Sequence, residues 1–264
     1  MHTPIAIATW NVNSLRSRLQ HVHRFLREAS PDVLCLQELK CADKDLPAES
    51  FRARGYHLAS ACQKTYNGVA IVSPWELTDV STGFSGGEDD PQARLIAATV
   101  CGIRVINVYV PNGDQVDSDK YAYKLDWMAR LRNELKHHHA PALPTLLCGD
   151  FNVAMDDRDV YDPPAWAGRV LCSDPERAAA RAWLEWGLED VFRIHHNEGG
   201  IYSWWDYRGG GFEAGRGLRI DHIWVTPPLA ARCATCDVLP EPRGWEKPSD
   251  HAPVMALFEP GWKP

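Results

Sequence analysis

The sequence predicts an α/β protein of the α+β type, in which mixed β-sheets are covered by helices. Apolar runs rich in β-branched and aromatic residues recur along the whole chain, and amphipathic helices lie between some of them. These strands and helices do not alternate strictly, which argues against a purely parallel sheet. The 264 residues contain no internal repeat, low-complexity tract or long linker, so we expect one domain over residues 1–264.

Nine strands and three helices are predicted. The strands are expected at residues 5–10, 33–37, 68–72, 95–100, 103–110, 145–148, 202–205, 220–225 and 254–258. One helix follows Ser17, and a second runs from about Ser118 to Leu135. The third begins at a capping box with proline in its first turn, Ser-Asp-Pro-Glu at 173–176, and stops at Gly187.

The composition is that of a soluble globular protein, with 45% hydrophobic and 24% charged residues. The first ten residues resemble a strand and not a signal peptide, and no apolar run reaches the roughly 20 residues that span a bilayer. We therefore expect a cytoplasmic protein without membrane contact. Eight cysteines are present, and we expect them to be free thiols, including the isolated pair Cys233 and Cys236.

Five motifs each place a carboxylate, amide or imidazole beside a hydrophobic strand. These residues are Asn11, Glu38, Asp150 with Asn152, Asp221, and Asp250 with His251. Side chains at strand ends can converge on one edge of a sheet. Oxygen ligands suit Mg²⁺, so Glu38 and Asp250 with Asn11 could hold the cation, leaving Asp150 and His251 for acid–base work. Each motif alone is more often a solvated turn, and only their joint occurrence predicts a site.

The motifs taken in order resemble exonuclease III, a family of abasic-site endonucleases and 3′ exonucleases in the endonuclease/exonuclease/phosphatase superfamily. The resemblance rests on Trp-Asn-Val-Asn-Ser-Leu-Arg (10–16), Leu-Gln-Glu-Leu-Lys (36–40), Asn-Gly-Val-Ala (67–70), Asn-Val-Tyr-Val-Pro-Asn-Gly (107–113), Gly-Asp-Phe-Asn-Val-Ala (149–154), Ser-Trp-Trp-Asp-Tyr-Arg (203–208), Gly-Leu-Arg-Ile-Asp-His (217–222) and Lys-Pro-Ser-Asp-His-Ala-Pro-Val (247–254). It implies a four-layered sandwich of two mixed sheets packed face to face, with helices outside.

The resemblance also implies roles for matching residues. Glu38 would be the principal ligand of Mg²⁺, for which Mn²⁺ could substitute, assisted by Asn11 and Asp250. Asp150 would orient or deprotonate the attacking water, and His251 paired with Asp221 would stabilise the charged phosphate. Asn152 would hold the phosphate or Asp150, while Tyr109 would contact the phosphate or the leaving oxygen. A second metal held by Asp150, Asn152 and His251 stays open.

Substrate contacts are implied at fewer positions. Asn112 would bind the substrate, and Trp204, Leu218 and Ile220 would form an apolar pocket for a sugar that lacks its base. The segment 156–173 departs from the family pattern, because it offers Trp166 and Arg169 where relatives often carry asparagines. These two residues either contact DNA or belong to a surface loop.

The resemblance implies a monomer that acts on double-stranded DNA with abasic sites, nicks or blocked 3′ ends, beside the nucleoid. The net charge of −7 does not oppose this, because a carboxylate cluster lowers the net charge without removing a local basic rim. Two alternatives are a DNase I-like or phosphoinositide-type phosphodiesterase of the same superfamily, and a DNA-binding scaffold without catalysis. The intact acidic residues and histidine argue against the scaffold.

Overall fold

Two six-stranded mixed sheets form the centre of the protein. The computed structural model describes residues 4–85 and 90–260. Its strands are β1 (Ile5–Asn11), β2 (Val33–Gln37), β3 (His57–Ala61), β4 (Val69–Ser73), β5 (Thr78–Thr82), β6 (Leu95–Val100), β7 (Ile103–Tyr109), β8 (Thr145–Asp150), β9 (Glu189–Asp190), β10 (Trp204–Trp205), β11 (Gly217–Leu218), β12 (Asp221–Val225), β13 (Cys233–Val238) and β14 (Val254–Phe258). One sheet has the order β13-β14-β1-β2-β4-β3 and the other β5-β6-β7-β8-β12-β9, while β10 and β11 form a separate ribbon.

Four helices cover the outer faces of the sheets. The helices of the described residues are α1 (Leu15–Glu28), α2 (Ala48–Arg52), α3 (Asp119–His138), α4 (Pro163–Trp166), α5 (Asp174–Trp186), α6 (Val191–His195) and α7 (Pro227–Ala230), with 3₁₀ turns at Asp43–Asp45, Asp157–Asp159 and Glu241–Gly244. Helices α1 and α2 cover one sheet, and α3 and α5 cover the other. None of the helices in the described part of the chain is both long enough and apolar enough to span a membrane.

Side-chain alternation along the strands builds three apolar layers. In β2, Val33 and Cys35 join the core between the two sheets, whereas Leu34 and Leu36 pack towards α1 and α2. The outer face of the second sheet packs on α3 and α5, for example through Trp183. The layers are therefore helix, sheet, sheet and helix, which confirms the predicted four-layered sandwich.

The predicted elements agree with the structure where the apolar pattern is strong. The predicted strands at 33–37, 95–100 and 254–258 have the observed bounds, and α5 has the predicted capping box. The first helix begins at Leu15, two residues before the predicted Ser17, and the second extends to His138. The eight cysteines are free thiols, as predicted.

Candidate active site

Polar side chains from both sheets meet at one edge of the sandwich. β1 and β2 run parallel, as do β7 and β8, so their carboxyl ends coincide within each sheet. Asp150 pairs with Tyr109 on one side and on the other with Asp221, the first residue of antiparallel β12. The Asn11 Nδ2 donates to Oδ2 of Asp150 at 2.9 Å, which joins the two sheet edges. We call the group at this edge the strand-end cluster; its members are Asn11, Glu38, Asp150, Asp221, Asp250 and His251.

A glycine brings β7 and β8 close together directly before Asp150. Gly149 has a φ of 139°, and a Cβ atom there would lie 1.9 Å from the carbonyl oxygen of Val108. No other residue fits this position without moving one of the strands. The glycine of the Gly-Asp-Phe-Asn motif therefore fixes where the Asp150 carboxylate lies.

The turn after β2 holds Glu38 in a strained backbone conformation. Its φ is 56°, in the left-handed region that costs a non-glycine residue on the order of 1 kcal/mol or more. The backbone amide of Ser14 donates to the Glu38 carbonyl at 2.8 Å, and that of Leu39 donates to the Gly68 carbonyl at 3.1 Å. The surrounding backbone thus sets the direction of the Glu38 side chain.

Two donors hold the Glu38 carboxylate. Asn11 Nδ2 donates to Oε1 at 3.0 Å, and Lys40 Nζ lies 2.5 Å from Oε2. Burial alone would raise the pKa of Glu38, but the Lys40 ammonium and the Asn11 amide outweigh it, so this pKa lies below its ordinary value. Glu38 is therefore ionised at neutral pH and can face a cation.

His251 is buried between two carboxylates. Its Nδ1 lies 2.8 Å from Oδ2 of Asp221, and its Nε2 lies 3.8 Å from Oδ2 of Asp150. Burial favours the neutral ring, but Asp221 and then Asp150 overcome it and raise the pKa of His251 to about 10. Ser203 Oγ donates to the same oxygen of Asp221 at 2.7 Å and fixes that carboxylate. At neutral pH the ring is a cation aimed at Asp150.

Asp150 is almost fully buried, and its pKa is raised to about 7. Burial is the largest cause, and the charge of Asp221 adds to it, while the His251 cation partly offsets both. The backbone amide of Asn152 donates to Oδ1 at 2.9 Å. A carboxylate whose pKa is near neutrality suits a residue that accepts a proton.

Asp250 is fixed by donors on both of its oxygens. Asn13 Nδ2 donates to Oδ1 at 2.9 Å, and the indole Nε1 of Trp204 donates to Oδ2 at 3.0 Å. Burial raises the pKa of Asp250, but the His251 cation and these donors outweigh it, so the pKa is lowered. Asp250 is ionised and faces the same edge as His251.

Asn152, Asn112 and Tyr109 form the neighbouring wall. Asn152 has a φ of 51°, its Oδ1 accepts from Asn112 Nδ2 at 3.1 Å, and its Nδ2 donates to the Val110 carbonyl at 2.9 Å. Burial and the carboxylates of Glu38 and Asp150 raise the pKa of Tyr109 well above its ordinary value. The Tyr109 hydroxyl therefore keeps its proton and can donate to an anionic oxygen.

The donor set fits a hard divalent cation. Glu38, Asp150 and Asp250 offer carboxylate oxygens, and none of the described residues donates a hydrogen bond to the buried Oδ1 of Asp221. Asp150, Asp221 and His251 bring ligand atoms within 4.8 Å of one another, but a protonated His251 bonded to Asp221 suits proton and charge transfer better than ligation.

The Asn11 amide links two carboxylates of the strand-end cluster. Its Nδ2 faces Glu38 and Asp150, and its Oδ1 accepts from the backbone amide of Asn13 at 3.0 Å. Asn11 therefore acts here as a donor between two carboxylates, and its part in cation binding stays a prediction.

The predicted apolar pocket is covered in this structure. Leu218 and Ile220 are 0% and 1% exposed, and Trp204 and Trp166 pack partly buried over the same cluster. Leu218 and Ile220 are therefore closed to solvent in this structure, and their contact with a sugar stays a prediction. Arg169, three residues after Trp166, is exposed.

Lys40 and Asn13 received no role from the sequence, although both stand in recognised motifs. Lys40 Nζ donates to Asn13 Oδ1 at 2.7 Å, and Asn13 in turn bonds to Asp250, so the two residues connect Glu38 with Asp250. The only sign of a role in the sequence was that Lys40 stands two residues after Glu38, and Asn13 two residues after Asn11. That spacing brings the side chains together because of left-handed turns at Asn13, Glu38 and Lys40, which the sequence patterns did not predict.

Comparisons with known proteins agree with this geometry. The sequence profile described as the endonuclease/exonuclease/phosphatase family matches residues 8–251. Exodeoxyribonuclease III of Haemophilus influenzae is 36% identical over 263 residues, covering 95% of this chain and 98% of the relative.

Two solved structures are similar over nearly the whole chain. A 3′ phosphatase from Neisseria, NExo, bound to a product DNA hairpin is 47% identical, with a TM-score of 0.92, and the match covers 98% of this chain and 100% of that one. An AP endonuclease from Archaeoglobus fulgidus is 44% identical, with a TM-score of 0.93 and coverage of 96% and 99%. Sequence and fold together place this chain in the endonuclease/exonuclease/phosphatase family, among the exonuclease III-like enzymes.

Proposed function

We propose that this protein is a DNA-repair phosphodiesterase that depends on a divalent cation and hydrolyses backbone phosphoesters of double-stranded DNA. Its activities are incision at abasic sites, 3′–5′ exonuclease digestion from nicks and ends, and removal of blocking groups at 3′ ends. The observation that carries the proposal is the buried His251–Asp221 pair, 2.8 Å apart, with His251 directed at Asp150 beside the ionised Glu38.

The charges at this edge match those of phosphodiester hydrolysis. Asp150 accepts a proton from the water that attacks phosphorus, and the 3′ oxygen leaves with the bonding electron pair. The His251 cation, supported by Asp221, opposes the negative charge that builds on the phosphate oxygens. Asn112 and Tyr109 supply neutral donors that orient the phosphate.

Glu38 and Asp250 would hold the cation, which supplies further positive charge against the phosphate oxygens. We propose Mg²⁺, with Mn²⁺ as a substitute, because the offered ligands are oxygens. A second cation at Asp150 has less support, since His251 is protonated beside it. The enzyme acts as a monomer with one catalytic domain over residues 1–264, in the cytoplasm at the nucleoid.

The names of the relatives support DNA over other phosphodiesters and divide among the three activities. Product mapping tests the proposal with three substrates: a duplex with one internal abasic site, the same duplex with a nick that carries a 3′-phosphate, and a phosphoinositide. With Mg²⁺ or Mn²⁺ we expect both duplexes to yield 3′-hydroxyl products and the phosphoinositide to stay intact. Cleavage of the phosphoinositide, or intact DNA under all conditions, would contradict the proposal.

A further inference from the structure

The ammonium of Lys40 occupies a position that resembles a bound cation. It lies 2.5 Å from Oε2 of Glu38 and 2.7 Å from Oδ1 of Asn13, so two oxygens from different segments surround it. Asn13 also donates to Asp250 at 2.9 Å, which links the ammonium to the second carboxylate assigned to the cation.

The backbone builds this contact. Glu38 and Lys40 both have left-handed φ values, 56° and 51°, so the contact is made within a tightly turned segment. The backbone amide of Lys40 donates to the Asn67 carbonyl at 3.0 Å, which fixes the turn. The side chains of Lys40 and Glu38 are only 29% and 14% exposed, so solvent screens this pair much less than an ordinary surface salt bridge.

We propose that Lys40 is a built-in competitor of the divalent cation, which holds Glu38 and Asn13 in the metal-free protein and thereby weakens cation binding. The inference rests on the proposed function, which assigns the divalent cation to Glu38. Two positive charges that share one carboxylate repel each other, and a partly buried site strengthens this repulsion. Removal of the ammonium should therefore tighten binding of the divalent cation, although the site loses a contact.

The test measures binding of Mn²⁺ to the DNA-free protein, by the loss of the free-ion signal in electron paramagnetic resonance. We expect Lys40→Met to bind Mn²⁺ roughly 3- to 30-fold more tightly than wild type. Lys40→Arg keeps the charge and should stay within about threefold of wild type. Lys120→Met is the matched control, because this lysine lines the same cleft but is 73% exposed and pairs with Asp114, so its loss should leave Mn²⁺ affinity unchanged.

The outcomes separate this inference from the proposed function. Equal or weaker Mn²⁺ binding in Lys40→Met would overturn the competitor role, and circular dichroism checks that the variant is folded. If Lys40→Met does not fold, Lys40→Gln gives the neutral side chain with a retained hydrogen-bonding group, and the same affinity criterion applies. If Mn²⁺ binding is present in wild type but unaffected by Glu38→Gln, the cation site of the proposed function is wrong, and the competitor role falls with it.

Discussion

The strand-end cluster and the loop at 156–173 lie on the same side of the protein but are held in different ways. In the cluster, Asp221 and His251 are buried, and their positions follow from strand pairing and from direct hydrogen bonds between the sheets. In the loop, Trp166 is half-buried, Arg169 is exposed, and the short helix α4 spans only Pro163–Trp166. The loop is itself anchored, because Asp159 is buried in ion pairs with Arg193 and Arg219. The chemistry therefore falls on side chains buried between the sheets, and we expect substrate selection from the surface side chains of an anchored loop.

This difference predicts two classes of variant. Changes in the cluster should lower the rate of hydrolysis on every DNA substrate, because the reacting phosphate is common to all of them. Changes in the loop should alter the ratio between substrates and leave the cation requirement intact.

Removal of the cation should have the largest effect. EDTA or Glu38→Ala should lower hydrolysis by at least ~10³ on all DNA substrates, because the positive charge at the phosphate is lost. Initial rates on abasic-site DNA measure this, and restored Mg²⁺ should rescue the wild type alone. Glu49→Ala is the control, since that glutamate is 82% exposed on α2. Full activity in the chelator would rule out the assigned cation site.

Loss of Asp150 or of His251 should have the second-largest effect on the rate. Asp150→Asn and His251→Ala should each reduce kcat by at least ~10² while DNA affinity stays within about tenfold, because both groups act mainly in the transition state. Single-turnover rates and equilibrium binding to the same duplex separate the two quantities. Asp126→Asn, an exposed change on α3, should match wild type. Equal losses in binding and turnover would mean that Asp150 and His251 hold the substrate.

The pH profile should show a smaller but directional effect. The rate requires ionised Asp150 and protonated His251, so it rises through an acid limb near pH 7, which a bound cation moves lower, and falls through an alkaline limb near pH 10. Asp221→Asn removes the charge that contributes most to raising the His251 pKa. The alkaline limb should therefore move towards neutrality by about one unit or more.

A second histidine provides the matched control for that profile. His196 lies 3.0 Å from Asp237, which helps to raise its pKa, and it is not part of the strand-end cluster. Asp237→Asn should leave both limbs of the kcat/KM profile in place. An unchanged alkaline limb in Asp221→Asn would remove His251 from the rate-determining protonation.

Burial explains which features the sequence predicted. Strand β2 is buried on both faces and reads as a continuous apolar run, so both its bounds and the position of Glu38 after it were predictable. The edge strand β5 (Thr78–Thr82) is exposed along its whole length and lacks an apolar pattern, and it was missed. Strand β3 (His57–Ala61) was also missed, because its side chains are at most partly buried.

In the site, too, the sequence predicted only the features that depend on local patterns. Residue types and order pointed to Glu38 and Asp150, because strand ends can be read from apolar runs. The orientation of the Asn11 amide and the cover over Leu218 could not be read, because both depend on contacts between distant segments. Lys124 is another example: its buried ammonium donates to the carbonyls of Asn112 and Asn152, which no helical pattern would indicate.

The loop at 156–173 should give the smallest and most selective effect. Trp166 packs against the same apolar cluster as Trp204, and Arg169 is exposed three residues later, so both can meet DNA without touching phosphorus. An aromatic ring that stacks on a base contributes ~1–3 kcal/mol, and an arginine adds a phosphate contact. The double change Trp166→Ala with Arg169→Ala should therefore raise KM and reduce abasic-site incision about fivefold or more relative to 3′ trimming, since an internal site must be held on both sides.

Initial rates on both substrates at two salt concentrations measure the ratio. Trp75→Ala with Arg52→Ala is the matched control, because both side chains are exposed, Trp75 follows β4 at the end of the first sheet opposite the site, and Arg52 is the last residue of α2. A ratio equal to that of wild type would mean that the loop is only surface and that selection between the substrates lies elsewhere in the site.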